Sequence, residues 1–210
     1  MKPVHSQSGL TLVEVMIVLV GTIAVLKGVQ AVVMSTSSVS RTTQEFSTLN
    51  RKANGLVEKI IEQLYQADAG QVTVDPNGDR ITFRRVVSMD GGVIVRDVPS
   101  VIEWVADPTD PNDGIDNNGN GMVDEGQVIL RTRAGLLDEQ ITVLGSNIQE
   151  FLQGEVVNGL DDNGNGLVDE RGLSIERDGV RLMIRIGMGL KQSTSNVIVS
   201  VCESSFAIRN

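Results

Sequence analysis

The chain has 210 residues, of which 27 are acidic and 18 are basic, and its formal net charge at pH 7 is −9. This acidity argues against nucleic acid as a partner of the soluble part, because the phosphates and the acidic surface repel each other. Cys202 is the single cysteine, so no disulfide can form within the chain.

The N-terminus combines a polar leader with a long apolar run. Residues 1–9 end in Gly9, and the 17 residues from 10 to 26 contain one charged side chain, that of Glu14. Such a run forms about 25 Å of helix, close to the ~30 Å of a bilayer core. A carboxylate there costs roughly 2.5–3.5 kcal/mol on insertion scales, so intramembrane acids usually have a partner and a function. We therefore expect a transmembrane or filament-core helix over residues 10–34.

Cleavage after Gly9 would give Leu10 a free cationic amine one helical turn from Glu14, on the same face. This arrangement resembles the prepilin signal of type IV pilins and type II secretion pseudopilins. The resemblance implies that a membrane peptidase cuts after Gly9 and methylates Leu10, and that Glu14 sets the register of subunits in a filament. Leu10 departs from the phenylalanine that is commoner at its position.

Two other interpretations of the N-terminus remain. An ordinary signal peptide would place a small-residue cleavage site after the apolar run, and a plain membrane anchor would leave Glu14 at the interface. Flanking charges do not set the orientation, because Lys2 stands on one side and Lys27 and Arg41 on the other. The resemblance implies a single-pass inner-membrane protein with its C-terminal domain in the periplasm.

A helical stem is predicted to follow the membrane segment. No proline interrupts residues 5–74, and apolar residues recur at spacings of three and four over residues 46–64. We expect an amphipathic helix over residues 35–70 that ends near Gly70, a residue suited to a left-handed cap. The serine- and threonine-rich residues 35–43 predict a weak or bent segment.

Beyond residue 70 the pattern changes to short strands. Turns at residues 76–78 and 178–179 predict two hairpins. The predicted strands cover residues 71–74, 81–83, 93–95, 101–105, 128–130, 141–144, 148–152, 173–175, 180–186 and 196–208. A long N-terminal helix followed by a mostly antiparallel sheet over residues 71–210 indicates an α+β fold. The pilin resemblance implies the same arrangement, with the helix packed across the sheet.

The order of these strands also resembles that of J-type minor pseudopilins and PilW-type minor pilins. The similarity lies in a strand around Trp104, a returning strand over residues 126–131, the segment 144–152 and the C-terminal residues 208–210. It implies a minor subunit of a filament rather than a major one.

An acidic motif occurs twice, as DNNGNGMVDE over residues 116–125 and as DDNGNGLVDE over residues 161–170. Calcium takes six to eight oxygen ligands, and a loop with Asp or Asn at positions one, three and five and glycine at position six can supply them. The spacing predicts two calcium-type loop insertions, with Met122 and Leu167 acting through their carbonyls. The candidate ligands are Asp116, Asn118, Asn120, Met122, Asp124, Glu125, Asp161, Asn163, Asn165, Leu167, Asp169 and Glu170.

Position twelve departs from a helix-loop-helix calcium site, because Gln127 and Gly172 replace the bidentate glutamate. Strand patterns flank both motifs, so they resemble the calcium loops inserted in extracellular proteins. The alternative is a pair of solvated Asn-Gly turns. Few charges in each loop predict weak binding, with a Kd of about 10⁻⁴–10⁻³ M, and a structural role. The sequence leaves open whether the loops bind one ion each or share one.

These features predict a minor pseudopilin of a type II secretion system. A prepilin peptidase would process it, and other pilins or pseudopilins would assemble with it into a periplasmic pseudopilus that supports protein secretion. The alternative is a minor pilin of a type IV pilus, active in assembly, adhesion or DNA uptake. An enzyme on a membrane anchor is disfavoured, because His5 lies in the leader, Cys202 lies in a strand, and no serine has a nucleophile-elbow context.

Overall fold

The computed structural model describes residues 11–164, 166–191 and 197–208, and the chain divides into two units between Gln44 and Glu45. The predicted cleavage site, Gly9 and Leu10, lies outside the described residues. One helix, α1 over Leu12–Leu64, contributes residues to both units.

The first unit consists, in its described part, of the N-terminal portion of α1. Its apolar side chains are exposed from Leu12 to Met34, and the helix is long and apolar enough to cross a membrane. The serine- and threonine-rich segment is helical, and the hydroxyls of Thr36 and Thr43 donate to main-chain carbonyls one turn earlier, both at 2.9 Å. The helix is therefore not interrupted between residues 35 and 43.

In the second unit, α1 buries one face against the sheet. The buried residues recur at the predicted spacing, so the amphipathic pattern is confirmed, and they are Leu49, Ala53, Leu56, Val57, Ile60 and Leu64. This face shares one hydrophobic core with strand residues such as Ile102 and Ile184. Burial of this aliphatic surface is the main favourable contribution to the stability of the unit.

The strands that follow the helix are antiparallel wherever they pair. Their bounds are β1 Thr73–Val74, β2 Arg80–Phe83, β3 Val86–Asp90, β4 Val93–Arg96, β5 Ser100–Ala106, β6 Gly126–Thr132, β7 Gln140–Ile148, β8 Leu173–Asp178, β9 Arg181–Lys191 and β10 Val197–Ala207. Eight of them form one sheet in the order β1-β2-β5-β6-β7-β9-β10, with β8 also paired to β9. The fold is therefore α+β, as predicted.

The remaining two strands, β3 and β4, form a hairpin of their own. Every side chain in both strands is exposed. At the base of the hairpin, Arg96 forms an ion pair with Asp68 at 2.5 Å. The hairpin was predicted only in part, because its first strand was missed.

The helix ends earlier than the sequence predicts. It stops at Leu64 rather than near Gly70, because the main-chain groups of Gln66 and Asp68 bond to residues 84–86, both at 3.0 Å. Gly70 instead lies in a short 3₁₀ turn, Ala69–Gln71, where its N–H donates to the Asp68 side chain at 2.9 Å. Pairing with a distant strand thus overrides the local cap signal.

Other strand predictions have mixed outcomes. The hairpins β1–β2 and β8–β9 are confirmed. The strand predicted over residues 148–152 is wrong, because β7 ends at Ile148 and only Phe151 forms an isolated bridge, to Arg171. Cys202 lies in β10 as expected, half-buried beside Asn54, and burial raises the pKa of its thiol.

Candidate metal centre

The two acidic motifs lie in two connections between strands. The first connection, residues 107–125, joins β5 to β6, and the second, residues 149–172, joins β7 to β8. Strands flank both motifs, as predicted. Position twelve is Gln127 in the first motif, which lies in β6, and Gly172 in the second, which directly precedes β8.

The first loop closes on Asp116. Its Oδ2 accepts a hydrogen bond from the N–H of Gly121 at 2.8 Å, and Gly121 has a φ of 86°, which favours glycine. Within the turn, Asn118 Oδ1 accepts from the N–H of Asn120 at 2.9 Å, and Asn120 Oδ1 accepts from the N–H of Met122 at 2.8 Å. One side-chain oxygen at each of positions one, three and five thus accepts a hydrogen bond from the loop's own main chain.

The second loop repeats this closure. Asp161 Oδ2 accepts from the N–H of Gly166 at 2.8 Å, and Gly166 has a φ of 92°. Asn165, the candidate at position five, lies outside the described residues. The repeated sequence therefore folds into a repeated turn. The prediction of two calcium loops was based on that repeat.

The aspartates at position nine, Asp124 and Asp169, bond to the main chain just before each motif. Both have positive φ, 55° and 49°, and their carboxylates accept hydrogen bonds from main-chain N–H groups. Asp124 accepts from residues 113 and 114 at 2.9–3.0 Å. Asp169 accepts from residues 158 and 159 at 2.9–3.2 Å. These oxygens are bonded to the backbone in the structure.

Glu125 and Glu170 are the most deeply buried acids of the motifs, with 1% and 0% of their surface exposed. Asn118 donates to Glu125 Oε1 at 2.6 Å, and Asn120 donates to the same oxygen. Asn163 donates to Glu170 Oε1 at 3.3 Å. In both loops, this hydrogen bond from an asparagine amide holds the glutamate carboxylate in the interior.

Sequence reasoning missed two further acids, Asp110 and Glu155. Each lies six residues before its motif, and both are buried, with 0% and 8% of their surface exposed. The carboxyl group of Asp110 lies within hydrogen-bonding reach of that of Glu125. Extending the repeat toward the N-terminus would have found this pair of positions, because both carry an acid.

The ionisation of these acids reflects their burial. Burial raises the pKa of Glu125, and its contact with the carboxyl of Asp110 raises that pKa further. The same contact holds the pKa of Asp110 below its usual value. Burial also raises the pKa of Glu155, and the charge of Glu170 adds to the effect. Each pair therefore contains an acid whose charged form is disfavoured unless a positive charge is nearby.

Apolar side chains attach both loops to the sheet. Met122 is buried over Gly189 of β9, where a Cβ would lie 2.6 Å from the methionine Cε. Leu167 holds the equivalent position in the second loop and contacts the turn before β2, where a Cβ on Gly78 would lie 3.3 Å from Leu167 Cδ1. The side chains at position seven thus anchor the loops, and only their carbonyls remain as candidate ligands.

Glu150 joins the two connections. Its Oε1 accepts hydrogen bonds from Asn112 at 2.8 Å and from Arg171 at 2.7 Å. The guanidinium of Arg171 lies 4.7 Å from the centre of the Trp104 ring and 4.6 Å from that of Phe151. The hydrogen bond from Asn112 therefore joins the two connections, whereas Arg171 forms an ion pair with Glu150 inside the second connection and contacts the two rings.

The first loop contains oxygen atoms that suit a hard cation as ligands. Three of its buried carboxylate oxygens, Asp110 Oδ2, Asp116 Oδ1 and Glu125 Oε2, accept no hydrogen bond. Burying such charged oxygens without compensation is costly, and calcium prefers oxygen ligands. No three acidic, histidine or cysteine side chains form a metal cluster within residues 11–164, 166–191 and 197–208. Amide, main-chain or water oxygens would therefore have to complete a coordination shell.

The chain was also compared with known proteins. No family model, curated protein or solved structure matches it. Function is therefore inferred from the geometry of the chain's own residues.

Glu14, the candidate register acid, caps the start of α1. Its Oε2 accepts hydrogen bonds from the N–H and the hydroxyl of Thr11, at 2.8 and 2.9 Å. The Thr11 hydroxyl in turn accepts from the N–H of Glu14 at 3.3 Å, which completes a capping box that the sequence analysis overlooked. No lysine or arginine forms an ion pair with Glu14 in the part of the chain that the structure describes.

Proposed function

We propose that this chain is a minor pseudopilin of a type II secretion system, with a structural rather than a catalytic role. One observation carries the proposal: a single helix begins with an exposed apolar segment bearing Glu14 and ends with a face packed on an antiparallel sheet. The first segment suits a membrane before assembly and a filament core afterwards. The second segment packs against the sheet and forms part of the periplasmic domain.

The exposure of the apolar segment supports an assembled state. Its large side chains include Leu12, Ile17 and Val25, which expose 77%, 67% and 67% of their surface. A continuous apolar surface of this kind is unfavourable in water, so lipid tails or apolar helices must cover it. Other pilin-like subunits, each with such a helix, are the partners that suit it.

The hydrogen bonds of Glu14 support a role between subunits. Both groups that it bonds, the N–H and the hydroxyl of Thr11, are neutral. Neutral donors leave its negative charge uncompensated in a low-dielectric filament core, so a cation has to come from elsewhere. The amino terminus of a neighbouring subunit is the simplest source.

Processing is the first test of this proposal. Co-expression with a prepilin peptidase should yield a mature chain that starts at a methylated Leu10, as measured by intact mass. The expected cleavage point is the junction of the polar leader with the apolar run. A Gly9→Leu variant serves as the control and should stay uncut. A wild-type chain that keeps residues 1–9, or starts beyond residue 20, would contradict the proposal.

Substitution of Glu14 tests the filament role separately from the capping role. Glu14→Gln keeps an oxygen that can accept from Thr11, but it removes the charge. We expect both Glu14→Gln and Glu14→Ala to be inserted and cleaved normally but poorly incorporated, because the charge pair is lost in both. Crosslinking to pseudopilins or pilins would measure incorporation and would show which filament accepts the chain. Normal crosslinking of Glu14→Gln would limit Glu14 to helix capping.

We also propose that calcium stabilises the acidic loops of the periplasmic domain. The support is the repeated loop closure on Asp116 and Asp161, together with buried carboxylate oxygens that accept no hydrogen bond in the first loop. A chain without an internal disulfide gains from such a constraint, since an ion bound only by the folded state opposes unfolding.

A further inference from the structure

We propose that the calcium ion of the first acidic loop is bound by Asp110, a residue outside the repeated motif, together with Glu125. The inference rests on the proposed calcium binding and adds to it a ligand from the other end of the β5–β6 connection. An ion bound in this way joins the chain shortly after β5 to the chain directly before β6.

The buried oxygens of these two acids carry the inference. Asp110 and Glu125 expose 0% and 1% of their surface. The Oδ2 atom of Asp110 and the Oε2 atom of Glu125 are buried and accept no hydrogen bond. Buried carboxylate oxygens without a partner are costly, so a cation bound to them would stabilise the loop.

Hydrogen bonds within the connection bring the two acids together. The N–H of Asp107 donates to the carbonyl of Glu125 at 3.1 Å, and the N–H of Asp110 donates to the carbonyl of Asp107 at 3.0 Å. Two consecutive residues of the loop then bond the two side chains: the N–H of Asn117 donates to Asp110 Oδ1 and the amide of Asn118 donates to Glu125 Oε1, both at 2.6 Å. These contacts use one oxygen of each acid and leave the other oxygen for an ion.

No basic side chain balances the two acids. Neither forms an ion pair with a lysine or arginine within the residues that the structure describes. Their carboxyl groups lie within hydrogen-bonding reach of each other, so two negative charges there would repel. Oxygen ligands suit calcium better than a soft transition metal, and a bound calcium ion would remove the repulsion. A proton shared by the two acids is the alternative, and the experiment below separates the two.

The second loop does not support the same inference. Glu155 lies at the position equivalent to Asp110, but both of its carboxylate oxygens already accept main-chain hydrogen bonds. The donors are the N–H groups of Asn163, at 3.0 Å, and of Asp169, at 3.1 Å. The ligand outside the motif is therefore assigned to the first loop alone.

Melting curves with and without calcium test the inference. The full-length chain in detergent would carry Asp161→Ala, which removes the closing aspartate of the second loop, so that the remaining calcium shift reports on the first loop. We expect Asp110→Asn in this background to abolish the remaining rise in melting temperature. Glu125→Gln should have the same effect, because glutamine keeps an oxygen that can accept from Asn118 but lacks the charge.

Asp113→Asn is the matched control, because it makes the same chemical change at an exposed position of the same loop. The second loop has Asn158 at the equivalent position. Asn158 Oδ1 accepts from the N–H of Leu160 at 2.7 Å, just as Asp113 Oδ1 accepts from the N–H of Ile115 at 3.0 Å. The control variant should therefore fold and keep the whole calcium shift of its background.

Stability in a calcium chelator separates ligand loss from misfolding. In Asp110→Asn, the new side-chain oxygen can still accept from the N–H of Asn117, and the new amide can donate to Glu125 Oε2. The metal-free melting temperature should therefore equal or exceed that of the background, and a lower value would contradict the repulsion on which the inference depends.

The calcium shifts distinguish failure of this inference from failure of the proposed calcium binding. A shift that persists in Asp110→Asn, or one that Asp161→Ala abolishes by itself, would overturn the inference and leave calcium binding intact. A persistent shift together with a more stable metal-free variant would indicate that the two acids share a proton instead. No calcium shift in the wild type would overturn both proposals.

Discussion

Replacing Gly172 by alanine is expected to lower the free energy of unfolding by about 3 kcal/mol or more. A Cβ at this position would overlap the carbonyl oxygen of Gln149 and lie 2.9 Å from its carbonyl carbon. Both segments are fixed by strand β9, because Gly187 donates to the Gly172 carbonyl at 2.7 Å and accepts from Gln149 at 2.9 Å. Neither main chain can move away without breaking these bonds. Urea denaturation followed by circular dichroism would measure the loss.

Gly55→Ala is the matched control for this substitution. Gly55 lies within α1, and a Cβ there meets no atom within 4 Å. Alanine should therefore stabilise the helix by about 0.5–1 kcal/mol, because it costs less backbone entropy than glycine. The same chemical change thus has opposite expected signs at two positions. Equal stability of Gly172→Ala and the wild type would contradict the close approach of residue 172 to the Gln149 carbonyl.

Calcium is expected to raise the melting temperature of the chain. An ion that binds only the folded state stabilises it by RT ln(1 + [Ca]/Kd), which is about 1.4 kcal/mol per site at ten times Kd. Two sites would give about 2.8 kcal/mol, or a shift of about 6–11 °C for a domain of this size. Magnesium should do much less, because it demands tight octahedral geometry and sheds its waters reluctantly. Thermal melts in detergent, with each cation and with a chelator, would measure the effect.

Variants assign the calcium effect to the loops. Asp116→Ala and Asp161→Ala should each remove about half of the shift, and the double variant nearly all of it, because these residues close the two loops. Asp90→Ala, in the exposed β3–β4 hairpin, should retain the whole shift. If calcium, magnesium and chelator give the same wild-type melt, the loops are turns stabilised by their own hydrogen bonds alone.

Local patterns predicted the elements that local forces determine. The three-and-four spacing over residues 46–64 identified the face that α1 buries, because one side of a helix must meet the sheet. Glycine-containing turns located the hairpins β1–β2 and β8–β9, since the turn fixes the pairing of its neighbours. The closure of both acidic loops also follows from their sequence, because aspartate and glycine at fixed spacing favour that turn.

Features that depend on distant contacts could not be predicted in the same way. The end of α1 is set by pairing of residues 66–68 with 84–86, which no cap signal at Gly70 reveals. The segment 149–152 has strand-like composition, but Gln149 bonds to the main chain of Gly187 and the chain turns away instead of continuing β7. Asp110 and Glu155 lie outside the repeated motif and differ from most other acids by being buried, and burial of a charged residue is not visible in composition.

The β3–β4 hairpin offers a practical advantage for following this protein in cells. Its side chains contribute nothing to the core, and its tip at Gly91 and Gly92 lies in open space. Additional residues at such a tip cost little beyond loop-closure entropy, about 0.6 kcal/mol for each doubling of loop length. An epitope or a fluorophore can therefore be inserted there without replacing any residue of the acidic loops or of α1, so that labelling leaves the residues proposed for assembly unchanged.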